Sequence, residues 1–248
     1  MSHLEAPIFT VVVAGGSGRR FGSMKQYESL GSTGGLNRVL DYSVRTALEC
    51  SDGVVLVVPA DDVDHERTNS WPASTGVVVV AGGPTRTAST RCGLAAVPAD
   101  AGVILVHDAA RPFASADLFR SVIDAVRAGV DGAIPGLPVT DTVKTISVVE
   151  TTSIPGLANA VDRPAVTPLV VATPDRATLV AVQTPQAFRA EVLLRAHRQE
   201  AEGSDDASLV EMVGGTVIVV PGENDNRKIT HPEDLVWARE LVARRTAS

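Results

Sequence analysis

The sequence predicts an α/β fold on a doubly wound sheet, and three observations carry that expectation. Short β-branched runs alternate with helical patterns, a rhythm that right-handed crossovers turn into parallel strands. The runs are continuously apolar, as strands covered on both faces must be. A glycine-rich turn follows the first run, where such a sheet presents ligands at the carboxyl ends of its strands. At 248 residues the chain is long enough to bury most of its apolar surface in one large domain without staples.

The first run, Ile8–Val13, reads as a buried strand, and the glycine-rich turn spans Gly15–Lys25. Leu36–Leu48 sets Leu36, Val39, Leu40, Val44, Ala47 and Leu48 at helical spacing. Val54–Val58, Val77–Val80 and Val103–His107 read as further buried strands, with a helix over Thr87–Ala96 between the last two. Ala116–Val126 is a helix, followed by a strand at Gly132–Pro135. Between Val139 and Ala177 the rhythm breaks. Pro155, Pro164, Pro168 and Pro174 stand there among Thr and Val, with β-like pieces at Thr145–Val149 and Leu169–Ala172 and no helix. A long insertion of strand propensity is functional or disordered, and the expectation is a projecting β-arm over residues 139–177. Helices at Ala190–Arg198 and Ala207–Val213, a strand at Thr216–Val220 and a helix at Pro232–Ala243, with proline in its first turn, complete the chain. The whole reads as a single domain, residues 1–248, plus the arm.

Composition removes several classes. No apolar run approaches the ~18–20 residues of a bilayer span, and the short Ile8–Ala14 stretch runs into glycines rather than a cleavage site, so no secretory signal is expected. Two cysteines, Cys50 and Cys92, fit a reduced, cytoplasmic protein and make neither a disulfide framework nor a zinc set. Lys+Arg 22 against Asp+Glu 29 gives a net charge of −7, which argues against nucleic acid as the partner. Only three of the basic residues are lysines: Lys25, Lys144 and Lys228.

The loop Gly15-Gly16-Ser17-Gly18-Arg19-Arg20-Phe21-Gly22 is neither a dinucleotide fingerprint, which needs glycine where Phe21 stands, nor a Walker loop, which needs Gly-Lys-Ser/Thr. Its distinguishing feature is its cations, Arg19, Arg20 and then Lys25. Glycines let backbone N–H groups approach phosphate oxygens, and Arg and Lys neutralise a polyanion. A tight turn with solvated arginines is the plain alternative. Five further clusters favour the phosphate reading. Gly82–Ser89 offers small residues against which a flat base can lie. Val106-His107-Asp108-Ala109-Ala110-Arg111-Pro112 puts a carboxylate and a guanidinium at a strand end. Gln183-Thr184-Pro185-Gln186 and Ser204–Ser208 precede helices, and Asn226–Thr230 precedes the last one. His107 reads more readily as a packing residue than as a base, Asp205 and Asp206 as helix caps, Arg111 as an ion-pair partner and Cys92 as core.

Taken in this order, the clusters resemble the 2-C-methyl-D-erythritol 4-phosphate cytidylyltransferase family. The matching strings are AGGSGRRFGSMKQY (14–27), GGPTRTAS (82–89), VHDAARP (106–112), DTVK (141–144), QTPQAF (183–188), DDASLVE (205–211) and NRKITHPEDL (226–235). The resemblance implies a Rossmann-like nucleotidyltransferase sheet with a β-arm. It also implies transfer of CMP from CTP to the methylerythritol phosphate in non-mevalonate isoprenoid precursor synthesis, a need for Mg²⁺, and a homodimer joined by the arms. By resemblance, Arg20, Lys25 and Lys228 are the catalytic cations on the triphosphate. Ala14, Gly15, Gly16, Gly18, Gly83, Ser89 and Asp108 surround the nucleotide, with Asp108 near the hydrated metal. Arg111, Thr142, Arg176 and Ser204 bind the acceptor, the arm residues being supplied by the other subunit. Arg176 is chosen because the family's arm arginine lies eight residues before the threonine of T-P-Q; Arg163, in a similar Asp-Arg pair, is 21 before Thr184 and remains the alternative. Three residues depart from the pattern: Met24 for proline, Gly15 for alanine and Ser204 for threonine. The arm and the Ser32–Gly35 turn are longer than usual. A ribitol-5-phosphate cytidylyltransferase and a non-catalytic nucleotide-binding regulator are the other readings of the same clusters.

Overall fold

A computed structural model describes residues 6–15, 21, 24–33, 36–154 and 164–246. Gly16, Gly18, Arg19, Arg20 and Arg163 lie outside the described residues. The chain divides into two compact units, one formed by Met1–Gly136 with Val182–Ser248 and the other by Leu137–Ala181.

In the larger unit, β1 (Ile8–Val13) is the central strand. It pairs in parallel with β4 (Gly53–Val58) on one side and β6 (Val103–Asp108) on the other, so that Val13 stands level with both Val57 and Asp108. Beyond β4 lies β5 (Val77–Ala81), also parallel. These runs are almost entirely Val, Ile and Leu because helices cover both faces. On one face Leu40, Val44 and Ala47 of α1 (Val39–Cys50) pack with Leu118, Phe119, Val122 and Ile123 of α4 (Ala116–Arg127). The other face is covered by α3 (Arg86–Leu94), α5 (Ala190–His197) and α6 (Asp206–Met212), with Leu193 and Leu209 buried against Ile104 and Val106. A third apolar group joins Phe113 and Leu30 to Leu235, Ala238 and Leu241 of α7 (Pro232–Thr246). The single turn α2 (Val63–His65) sits between β4 and β5.

Two local readings need correction. The helix expected from Leu36 begins at Val39. Leu36–Arg38 (β3) is instead extended and pairs antiparallel with Ser29–Thr33 (β2). Arg38 is the N-cap: its N–H donates to Asp41 Oδ2 at 2.9 Å, and its guanidinium reaches buried Glu66 at 2.6 Å. The sheet is also not wholly parallel. Gln186–Arg189 (β11) runs antiparallel between β6 and β7 (Gly132–Pro138), and β12 (Val217–Pro221) then joins β7 in parallel. Four residues that begin with Gln and end with Arg carry no strand signal of their own. The slot between two existing strands makes them one, and Phe188 pays into the core there, fully buried.

The smaller unit is a hairpin. β8 (Thr145–Glu150) pairs antiparallel with β9 (Val166–Ala172), setting Ile146 opposite Val170 and Val148 opposite Pro168. A short strand, β10 (Val180–Val182), leads the chain back into the larger unit. No helix among the described residues is long and apolar enough to cross a membrane.

Candidate active site

The carboxyl ends of β1 and β6 and the loop that follows β5 open onto one cleft of about 630 Å³, all within the larger unit. Backbone hydrogen bonds carry the sheet into its floor: Ala14 N–H donates to Val57 O at 2.8 Å, Gly82 N–H to Val58 O at 2.8 Å and Ala109 N–H to Val13 O at 3.0 Å. Of the site residues expected from sequence, Ala14, Gly15, Lys25, Gly83, Ser89, Asp108 and Lys228 line this cleft together.

Small residues make one wall. Ser89 is buried on the first turns of α3, a helix capped by Thr85, whose hydroxyl accepts from Ala88 N–H at 3.0 Å. The Ser89 hydroxyl accepts from Gly83 N–H at 3.1 Å, which folds the loop back onto the helix. Gly83 must be glycine for this close approach, whereas at Gly15 a methyl group asks only a small shift of Ser89. A Cβ on Gly83 would stand 2.6 Å from that of Ala88, and one on Gly15 would press on the Ser89 hydroxyl at 3.1 Å.

Cations line the same cleft. Lys25 opens a short turn, Lys25–Tyr27, and its ammonium donates to Ile229 O at 2.6 Å. Ile229 N–H donates in turn to Ala110 O at 2.8 Å, so the segment carrying Lys228 is stitched beside the end of β6. Lys228 Nζ lies 2.6 Å from Asp108 Oδ2, and Arg86 Nε lies 3.1 Å from Asp108 Oδ1. Burial would raise the Asp108 pKa, but Arg86 and Lys228 outweigh it and hold the carboxyl well below the usual range. Among the described residues Asp108 is the one acidic side chain in the cleft lining, and it is ionised.

Arg86 was not singled out from the sequence. Its guanidinium reaches both Asp108 and, at 2.8 Å, Asp206 Oδ2, and Asp206 Oδ1 accepts from His197 Nε2 at 3.0 Å. A signal did exist. Arg86 is the first residue of α3, where the helix dipole disfavours a cation, so an arginine there calls for carboxylate partners. Asp206, read as a cap, is instead this buried partner; Asp205 is the cap, accepting from Ser208 N–H at 2.9 Å.

The remaining expected residues lie elsewhere. Arg111 follows the turn after β6, and its guanidinium donates to Asn226 O at 2.8 Å and Val182 O at 3.2 Å. Burial pulls its pKa down, and no carboxylate is within ion-pairing distance among the described residues. Ser204 is exposed just before α6. Thr142 and Arg176 belong to the smaller unit. There Arg176 starts a short turn capped by Asp175 and donates from Nη1 to Thr140 O at 2.7 Å.

His107 is a structural residue. Thr184 Oγ1 accepts from Asp108 N–H at 3.0 Å, which leaves its own proton for His107 Nδ1 at 3.1 Å, and His107 Nε2 donates to Arg111 O at 3.2 Å. Those partners assign the neutral ring with its proton on Nε2. Burial, helped by Arg111, pushes its pKa down to about 4. The unfolded chain therefore takes up a proton below about pH 6.5 that the folded chain refuses until about pH 4. Stability contributed above that window is lost as pH falls through it. Between about pH 7.5 and about pH 5 this one group should cost about 2 kcal/mol. Urea unfolding at both pH values should show His107→Gln losing that much less than the parent. Equal losses would exclude a neutral buried ring.

A cleft of this lining on this sheet places the chain among the Rossmann-like nucleotidyltransferases. The profile of the 2-C-methyl-D-erythritol 4-phosphate cytidylyltransferase family matches residues 8–244, and the chain belongs to that family. Relatives of that name from Streptomyces coelicolor and Rhodococcus jostii are each 42% identical. The match covers 95% of this chain and 84% of the first, and 98% of this chain and 98% of the second. Among solved structures, the 4-diphosphocytidyl-2C-methyl-D-erythritol synthase of Anaerococcus prevotii superposes with a TM-score of 0.74 at 29% identity, over 96% of this chain and 99% of that one. The 2-C-methyl-D-erythritol 4-phosphate cytidylyltransferase of Thermus thermophilus gives 0.68 at 30% identity, over 94% and 98%.

Proposed function

We propose that this cleft transfers CMP from CTP to 2-C-methyl-D-erythritol 4-phosphate, releasing pyrophosphate, as a step of isoprenoid precursor synthesis in the cytoplasm. The observation that supports it best is the pairing of a glycine-lined wall with Lys25, Arg86 and Lys228 around a single carboxylate. Cytosine and ribose lie against Ala14, Gly15, Gly83 and Ser89, and the triphosphate faces Lys25 and Lys228. By the same resemblance, Gly16, Gly18 and Arg20 belong to the phosphate-binding set.

The acceptor's phosphate oxygen attacks the α-phosphorus, the bond to the β-phosphate oxygen breaks, and pyrophosphate leaves. A monoester phosphate with a second pKa of about 6 is already dianionic at neutral pH, so no general base is needed. His107, neutral and fully engaged, agrees with that. The barrier is repulsion between two polyanions, which Arg20, Lys25 and Lys228 offset by holding the phosphates in line. Mg²⁺ suits the residues present: one ionised carboxylate, Asp108, facing phosphates is the kind of set that this ion accepts with its waters. When bound, it would supply further charge neutralisation on the phosphates. The acceptor lies among Arg111, Ser204 and, from a partner's arm, Thr142 and Arg176. Ile146, Val148, Val166, Pro168 and Val170 share one exposed face of the β8–β9 hairpin, the surface by which two copies would join.

Pyrophosphate release with CTP and the methylerythritol phosphate tests the reading; faster turnover with ribitol 5-phosphate would replace it. Arg176→Ala should raise the acceptor KM by about 10–100-fold, the worth of a charge-assisted grip on phosphate, with the CTP KM unchanged. Arg163→Ala should be mild in the same assay. The reverse ranking would move the acceptor contact to Arg163.

A further inference from the structure

We propose that Arg86 and Asp206 are positioning residues for the transfer, acting through Asp108 on Lys228. The inference rests on the cytidylyltransferase reading of the cleft and adds to it a support that no motif displays. Four links run in series from the protein interior to the cleft. His197 Nε2 meets Asp206 Oδ1 at 3.0 Å, Asp206 Oδ2 meets Arg86 Nη1 at 2.8 Å, Arg86 Nε meets Asp108 Oδ1 at 3.1 Å, and Asp108 Oδ2 meets Lys228 Nζ at 2.6 Å.

The inner end of the series is its most buried part and Lys228 its most exposed, with Asp108 11% exposed between Arg86 and Lys228. The side chains of Asp206 and His197 are 1% and 4% exposed, that of Arg86 28%, and that of Lys228 40%. Asp206 is fixed at the start of α6, and His197 ends α5, so two packed helices hold the inner end still. A flexible lysine at the outer end has many rotamers to choose from. Asp108 narrows that choice, but a lone carboxylate would also hold the ammonium too well and compete with the phosphate for it. Arg86 resolves the conflict. By taking Oδ1 it fixes the plane of the carboxylate and shares its charge, so that Lys228 is aimed into the cleft and can still pass to a phosphate oxygen. Asp206 keeps Arg86 from following the phosphates instead.

Activity and coupling test this together. With CTP and the methylerythritol phosphate, Asp206→Asn and Arg86→Lys should each lower kcat by about tenfold, since small displacements of a transition-state group are expensive, while the CTP KM changes by less than about threefold. In a Lys228→Ala background either substitution should then have almost no further effect on kcat, because the residue they position is gone. Circular dichroism and a thermal midpoint for each variant select the assay temperature. If Asp206→Asn does not fold, Arg86→Lys alone carries the cycle. Losses that multiply across the double variants would overturn the proposal, as would an Arg86→Lys variant whose defect lies in CTP KM, which would make Arg86 a direct ligand. An inactive parent enzyme would instead refute the functional reading on which the proposal rests.

Discussion

Lys25→Ala should lower kcat by about 10²–10³-fold, the cost of removing one donor that acts on charge developing in the transition state. The structure makes this loss separable from unfolding. Lys25 is half-buried at the head of a three-residue turn, and its ammonium donates to a carbonyl, Ile229 O, at 2.6 Å. Losing a charge-assisted bond of that kind costs about 1.5–3 kcal/mol of stability. The catalytic loss, equivalent to about 3–4 kcal/mol, would come from the cleft. Lys25 and Lys228 reach it from opposite ends of the sequence, and the Ile229–Ala110 hydrogen bond brings them side by side. Lys25→Arg should recover only part of the rate, because a planar fork does not fill the place of a compact ammonium. A folded Lys25→Ala enzyme with near-normal kcat would remove Lys25 from the mechanism.

The same geometry explains how a chain of net charge −7 accommodates a polyphosphate. Positive charge is concentrated where Lys25, Arg86 and Lys228 face one carboxylate. Two of the three lysines stand in that cleft, whereas most of the chain's excess of acid lies outside its lining. Local charge decides the ligand.

What could be read from sequence follows the range of the forces involved. β1, β4 and β6 were legible because burial on both faces demands an unbroken apolar run, and β5, at the sheet edge with Val78 half exposed, by its run of valines. α4 was legible because Leu118, Phe119, Val122, Ile123 and Val126 fall on one stripe. β11 was not, since its pairing is imposed by neighbours far along the chain. The start of α1 was misplaced because Leu36 fits the helical period, while the capping bond from Arg38 to Asp41 decides the boundary. The glycines, Ser89, Asp108 and both cleft lysines were recognisable by their motifs. The pairing of Arg86 with Asp206 was not read because 120 residues separate them: an arginine opening a helix signals the need for a carboxylate but not which one.

A Val148→Lys/Val170→Glu double substitution should convert the proposed dimer into a monomer. Ile146, Val148 and Val170 are 53%, 63% and 54% exposed in one chain, on a face that holds Val166 and Pro168 as well. A two-stranded hairpin is marginal in water, and such a face needs covering. Val148 and Val170 are diagonal neighbours across the strands, since Val148 pairs with Pro168 and Ile146 with Val170. Opposite charges at these two positions can satisfy each other within one hairpin, so the arm itself survives. Burying them against a second copy would strip their water, at a cost of several kcal/mol. The dimer dissociation constant should therefore rise by at least about 10²-fold, measurable by sedimentation. Because the acceptor site draws Thr142 and Arg176 from the partner's arm in this reading, acceptor KM should rise with dissociation while CTP binding holds. A parent enzyme that sediments as a monomer, or a double variant that remains a dimer, would show that this face is not the join.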